Sequence, residues 1–310
     1  MLNFMKKIPG GLLLIPMLIS AIFYTFAPNF FDIGPVSGAF FTKKGINYML
    51  GLICFLSATS LDLRCFKKIL RKQGSILLIK FILSLILGIL FVKFFGLDGI
   101  FGISALAFIT GISSLNPALY LAFAQDYGDE EDDVAAFGLA EILCMPAFSI
   151  LIFSLSKSSS IDWTLLISIL IPLIFGLIIG NLDRQIAEFF YPAITIITPI
   201  MGWSFGSGIN IINAFEASFQ GIFLSILFYL LTLPILFFYE RKILKENGMT
   251  SLGISSIAGV STSVPEILAS SDQSLVGFSQ SATSQLAMGV LITSIITPIL
   301  VGKFMKKRNK

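Results

Sequence analysis

The sequence predicts an all-α integral membrane protein with ten transmembrane helices, arranged as two inverted five-helix repeats with discontinuous crossing helices at the fourth and ninth positions. Three observations carry this reading. Over 310 residues, 55% are hydrophobic, only 13% are charged, and the mean hydropathy is +0.91. Such a composition belongs to membrane proteins, because a soluble chain of this length has too little polar sequence to cover its surface. Apolar windows long enough to cross roughly 30 Å of hydrocarbon recur from one end to the other. Two of them are interrupted by Gly, Ser and Pro at matching places.

In chain order the windows fall near 9–27, 44–60, 73–94, 97–125, 133–156, 162–181, 187–208, 216–239, 249–271 and 278–302. The first follows Lys6 and Lys7 and superficially resembles a signal peptide. No small-residue cleavage site follows it, so it reads as an uncleaved first span. The fourth contains ITGISSLNPALYLAFAQ, from Ile109 to Gln125. Pro117 removes a backbone donor and disfavours helical geometry at Asn116, so a helix must break there and free peptide groups. Backbone freed at membrane depth survives only where it is buried in protein or lines a cavity. The ninth window carries the corresponding interruption, GVSTSVPEILAS, from Gly259 to Ser270.

Lys and Arg mark the cytoplasmic side of such a chain. With both termini cytoplasmic, all but five of the 21 basic residues fall on that side. The exceptions are Lys43, Lys44, Lys93 and Lys157 on the opposite side and Lys80 inside the third span. The acidic run from Asp126 to Asp133 is then a solvated cytoplasmic turn. The net charge of +3 is unremarkable. The expected partners are a lipid bilayer and a small solute, with no nucleic acid.

The repeat is visible in paired residues. Gly111 and Pro117 recur as Gly259 and Pro265, and Asp62 recurs as Asn210, all at an offset of 148. Pro16 pairs with Pro172, and Pro146 with Pro298, at offsets of 156 and 152. Five spans per repeat, divided as 1–158 and 159–310, force the second copy to enter from the opposite side. Two broken helices at equivalent places in inverted halves point to a transport site at the midplane.

Candidate ligands in the first break are Thr110, Ser113, Ser114 and Asn116. In the second they are Ser261, Thr262 and Ser263, with Asn210 at the end of the seventh span. If the halves cross, hydroxyls, an amide and freed peptide groups converge, and helix N-termini favour an anionic solute. The bland alternative is that small residues only permit close helix packing. His is absent and Cys numbers three, in or beside apolar stretches. No disulfide framework, metal site or cofactor is implied, and proton chemistry falls to carboxylates. Glu141, about two turns into the fifth span, is the first candidate for a coupling group, since ionisable side chains at that depth are functional by default. Its repeat mate is Thr293. Glu266, beside Pro265, is the second; with nearby hydroxyls and carbonyls it suits a hard cation such as Na⁺. Lys80 is expected to snorkel or pair. Gly202, Ser204 and Gly206 match a nucleophile-elbow spacing, but inside an apolar helix close packing explains them better.

Several blocks resemble the bacterial 2-keto-3-deoxygluconate permeases, within the larger bile acid/arsenite/riboflavin transporter superfamily. They are KIPGGLLLIPML (Lys7 to Leu18), TFAP (Thr25 to Pro28), Asn116 with LYLAFAQDYG (Leu119 to Gly128), GNLD (Gly180 to Asp183) and LITSIITPIL (Leu291 to Leu300). The resemblance implies a multi-pass protein of the bacterial inner membrane. It also implies a core that carries crossed helices four and nine and moves against a panel of helices one, two, six and seven. The activity it implies is proton-coupled uptake of the sugar acid 2-keto-3-deoxygluconate. The chain departs from the family pattern at Pro117 and Ala118, where two Gly are usual. It departs again at Asp62, where the pattern has Lys, and at Glu266, where it has an apolar residue. These departures keep a sodium-coupled organic-anion symporter as an alternative. A passive anion channel is another. An intramembrane enzyme lacks support: there is no HExxH, no Asp pair in adjacent spans and no His.

Overall fold

The computed structural model describes residues 1–7, 11–64, 69–127, 137–144, 146–157, 163–216 and 218–305. Helices occupy every predicted apolar window. Among the described residues the only extended pairing is an isolated bridge between Ile100 and Ile103. In order they are α1 (Leu2–Lys7), α2 (Gly11–Phe26), α3 (Pro35–Phe41), α4 (Ile46–Ser60), α5 (Ser75–Phe95), α6 (Ala105–Ser113), α7 (Pro117–Tyr127) and α8 (Phe137–Cys144). There follow α9 (Pro146–Ser156), α10 (Trp163–Leu182), α11 (Arg184–Gly206), α12 (Ile211–Glu216), α13 (Ser218–Phe238), α14 (Met249–Gly253), α15 (Val264–Ser271) and α16 (Val276–Phe304). The short helices α3 and α12 lie in segments expected to be loops. Part of the acidic turn (128–136), the proposed repeat boundary (158–162), Cys65 and several of the basic residues used for topology lie outside the described residues.

Four stretches among the described residues are long and apolar enough to cross a membrane: Leu70–Phe95, Arg184–Ser204, Phe219–Ile243 and Gln273–Phe304. Shorter apolar helices span Gly11–Phe26, Ile46–Ser60, Pro146–Ser156 and Leu166–Leu182. Their outer faces expose Leu78, Ile82 and Ile86 on α5, Ile167, Ile171 and Phe175 on α10, and Ile222, Ile226 and Leu230 on α13. An apolar surface of this extent calls for lipid rather than water.

The helices form two groups. In the first, α2 lies along α11, and α4 lies against α10 and α11. Close approach explains the glycines. A methyl group at Gly202 or Gly206 would collide with the backbone of Leu13 or Met17, and one at Gly176 or Gly180 with the backbone of Phe55 or Thr59. The Gly202–Ser204–Gly206 spacing is therefore a packing seam, and Ser204 Oγ donates to Ile200 O at 3.3 Å within its own helix. The second group gathers α5, α6, α7, α9, α13, α14, α15 and α16 around the main apolar core, where Phe91 stacks on Phe108 with ring centroids 4.1 Å apart. A smaller core of Ile53, Leu56, Leu173 and Ile194 belongs to the first group.

Polar contacts tie the helix ends together. Asp62 faces Arg184 at 3.8 Å, Lys72 pairs with Glu246 at 3.1 Å, and Asn247 Nδ2 donates to Tyr127 O at 3.4 Å. Elsewhere Lys44 Nζ binds both Asp32 oxygens at 2.7 Å, and Gln285 Nε2 donates to Gly102 O at 2.8 Å. Lys157 binds Asp272 at 2.6 Å; with a further hydrogen bond from Ser274, this holds the Asp272 carboxyl at about 2, below its ordinary 3.8. Apart from Gln285 with Gly102, which lie within predicted spans, each of these contacts joins segments that the charge distribution assigns to one side of the membrane.

Candidate functional site

The first break is shaped by its sequence. Ser104 caps the start of α6, its Oγ accepting from Ala107 N at 3.3 Å, and the helix ends at Ser113. Ser114 is extended, at φ −65° and ψ 149°. Pro117 then opens α7, where its missing N–H is no loss, and Asn116 Oδ1 accepts from Leu119 N at 3.2 Å. The freed carbonyls find partners on neighbouring helices. Ile112 O accepts from Ser84 Oγ at 3.1 Å and Lys80 Nζ at 3.3 Å, and Leu115 O accepts from Cys144 Sγ at 3.0 Å. Ser113 Oγ donates to Thr110 O at 3.2 Å and shares a 2.8 Å hydrogen bond with Ser149 Oγ.

The second break is longer. After α14 the chain runs irregularly to Ala258, makes a 3₁₀ turn over Gly259–Ser263 and re-enters a helix as α15. Here α16 supplies the partners. Thr293 Oγ1 accepts from Ile257 N at 2.9 Å and from Ser256 Oγ at 3.1 Å. Thr297 Oγ1 donates to Ser255 O at 2.5 Å, and Thr283 Oγ1 donates to Thr262 O at 3.3 Å. At the start of α14 the buried Glu240 carboxylate accepts from Thr250 N at 3.0 Å and Ser251 N at 2.6 Å.

The two breaks meet at one atom. Ser114 Oγ accepts a hydrogen bond from Ala258 N at 2.8 Å and another from Ser261 Oγ at 2.7 Å. Residues 144 and 147 positions apart in sequence are thereby joined inside the protein, and all three are buried.

Beside the second break a cavity of about 540 Å³ opens between α4, α10 and α15, with its polar lining from Lys44, Asn47, Ser168, Ser263, Glu266 and Ser270. That volume lies within the range of small-molecule sites, roughly 300–1,000 Å³. Glu266 stands in the first turn of α15, where the helix dipole favours its negative charge. A single ammonium, a carboxylate, an amide and three hydroxyls match the polarity of a small hydroxylated acid.

The residues expected at the site divide accordingly. Ser114 and Ser261 make the crossing, and Ser263 and Glu266 line the cavity. Ser113 and Asn116 stabilise the first break from within. Thr262 Oγ1 donates to Gly259 O at 2.7 Å and does the same in the second. Thr110 Oγ1 is buried with no hydrogen-bond partner among the described residues. Asn210 stands apart, its Oδ1 accepting from Ile212 N at 3.0 Å ahead of α12. Glu141 falls within α8, and its side chain lies outside the described residues. Of the two expectations for Lys80, snorkelling fails, since it is 2% exposed and turned into the protein, where it finds partners. Sequence reasoning passed over the supporting hydroxyls. Their signal is spacing, since Lys80 and Ser84, like Thr293 and Thr297, are four apart and share a face of their helix.

Comparison with known proteins supplies the family. A family model described as 2-keto-3-deoxygluconate permease matches residues 2–310. The chain is 29% identical over 307 residues to 2-keto-3-deoxygluconate permease 1 of Salmonella typhimurium, covering 98% of this chain and 95% of that protein. It is 30% identical over 314 residues to the 2-keto-3-deoxygluconate permease of Bacillus subtilis, covering 98% and 94%. Over 310 residues it is 28% identical to the permease of that name in Xanthomonas euvesicatoria, covering 97% and 96%. A match across the whole chain, on a helical frame with an apolar exterior, means that the chain belongs to the 2-keto-3-deoxygluconate permease family and is a transporter rather than an enzyme.

Proposed function

We propose that this protein takes up 2-keto-3-deoxygluconate, or a similar sugar acid, by secondary active transport across the bacterial inner membrane. The observation that carries the reading is the meeting of the two interrupted helices at Ser114, beside a polar cavity. In this reading the ten spans form two inverted repeats, divided at 158 and 159, with both termini cytoplasmic. The contacts at the helix ends support that topology. The group of α2, α4, α10 and α11, locked by backbone-to-backbone glycine contacts, serves as the static panel. The helices bearing the breaks form the moving core. The cavity lies where the two groups meet, so a shift of one against the other closes it on one side and opens it on the other.

The substrate's carboxylate and hydroxyls are assigned to the crossing and to Ser263, and proton coupling to Glu141, whose depth in an apolar helix makes its charge dependent on conformation. A second reading rests on Glu266. Its place in the cavity with Ser263 and Ser270 offers oxygen ligands to a sodium ion, a hard cation.

Uptake into proteoliposomes with imposed gradients separates the two. Proton-driven accumulation that collapses with a protonophore, and that Glu141→Gln abolishes while leaving exchange, is the expected result. Accumulation that ignores the proton gradient, follows Na⁺ and is lost in Glu266→Gln would assign coupling to Glu266. Flux that never exceeds equilibrium under any gradient would indicate a channel.

A further inference from the structure

Lys80 has no part in the coupling scheme above, yet it is among the largest fully buried side chains of the protein. It lies within α5, which between Ser75 and Lys93 is apolar but for Lys80 and Ser84 and exposes Leu78 and Ile82 on its outer face. The helices packed most closely against α5 are α6, α9 and α13, and none of them carries an Asp or Glu. The π-helical turn before α5, Leu70–Gly74, adds only the cations Arg71 and Lys72. A lysine does not reach such a place by snorkelling.

Two observations indicate what the ammonium does there. Its Nζ donates to Ile112 O at 3.3 Å. That carbonyl belongs to the last turn of α6 and would bond to Asn116 N had the helix continued. Carbonyls at a helix C-terminus carry the negative end of the dipole and favour a cation. The same Nζ stands 4.7 Å from the centroid of the Phe228 ring on α13, a distance at which an aromatic face attracts a cation. A carbonyl with no partner in its own helix and an aromatic face thus enclose one position for a small monovalent cation. Ser84 reaches the same carbonyl at 3.1 Å.

We infer that Lys80 is a tethered cation that completes the first helix break, filling from the protein's own chain a site with the chemistry of a primary ammonium or an alkali ion. It is a positioning residue: it fixes the end of α6, and through it the placement of Ser113 and Ser114, without touching the solute. The inference rests on reading the crossed breaks as the transport site.

The test uses the full chain purified in detergent, with thermal unfolding and binding of 2-keto-3-deoxygluconate as readouts. Lys80→Met keeps the shape and loses the charge; Lys80→Ala opens the space. Lys80→Met is expected to fold and to bind the sugar acid about tenfold or more weaker, the loss of one charged hydrogen bond. Propylammonium is expected to raise the unfolding temperature of Lys80→Ala and to recover part of its binding, while tetramethylammonium, which has no N–H, does neither. The parent protein should be indifferent to both. If Lys80→Ala folds only when propylammonium is present, that too supports the inference. Parent-like binding by Lys80→Met, or a Lys80→Ala protein whose defect propylammonium leaves unchanged, overturns it. Should the parent itself bind no sugar acid, the substrate reading fails on its own. The amine-dependent stability of Lys80→Ala still decides the cation assignment.

Discussion

Replacing Ser114 with Ala is expected to lower the initial rate of 2-keto-3-deoxygluconate uptake by about tenfold or more, with folded protein still recovered. The Ser114 hydroxyl accepts from both Ala258 N and Ser261 Oγ. Its removal leaves two donors facing an apolar methyl in a site closed to water. A buried donor left without a partner costs about 1–3 kcal/mol, and two at one point are enough to shift the crossing. The rest of each break has independent support. Thr293 and Thr297 hold the second, and Ser84, Lys80 and Cys144 hold the first. The loss should therefore fall on site geometry more than on folding. Ser113→Ala, which removes a pair confined to the first break and α9, should reduce uptake less. Initial rates in proteoliposomes matched for protein compare the two, and equal rates for Ser114→Ala and the parent would remove the crossing from the mechanism.

The largest effect on stability is expected at the seam between α2 and α11. Gly202→Val with Gly206→Val places two branched side chains where even a methyl carbon would collide with the backbones of Leu13 and Met17. The obstacle is backbone, which cannot rotate aside, so the helices must separate. Overpacking of this kind costs about 1–3 kcal/mol per site, and small residues are what allow helices to associate in lipid. The double variant should show a several-fold lower yield of monodisperse protein and a lower unfolding temperature. Gly176→Val with Gly180→Val should behave alike at the seam between α10 and α4. Gly277→Ala, where a methyl meets open space, is the matched control and should leave both measures unchanged.

Much of the frame was legible because lipid imposes a simple rule. A stretch that must bury its own backbone hydrogen bonds reads as a continuous apolar window, and the long helices fall in those windows, although α6 begins only at Ala105, well inside the fourth. The interruptions were legible too, since Pro117 and Pro265 have one effect whatever surrounds them. What the windows could not reveal is which polar atom serves which freed peptide group. Ser114, Thr293 and Lys80 look alike as polar residues in apolar windows. Only the packing of α5, α9 and α16 around the breaks tells the crossing atom from its supports. The short helices α3 and α12 escaped notice because seven and six residues carry too little periodicity. The cavity escaped for a related reason: it is made by α4, α10 and α15, which are remote in sequence.

In the proposed topology Lys44 and Ser270 stand near the non-cytoplasmic ends of their spans, so the cavity that they line is proposed to be part of the substrate's path and to open on that side. This is tested most directly by labelling Ser263→Cys, in a chain whose native cysteines Cys54, Cys65 and Cys144 are replaced, with a membrane-impermeant thiol reagent applied from outside. The introduced thiol is expected to be modified, and saturating 2-keto-3-deoxygluconate to protect it. A thiol modified at the same rate with and without the sugar acid would contradict it.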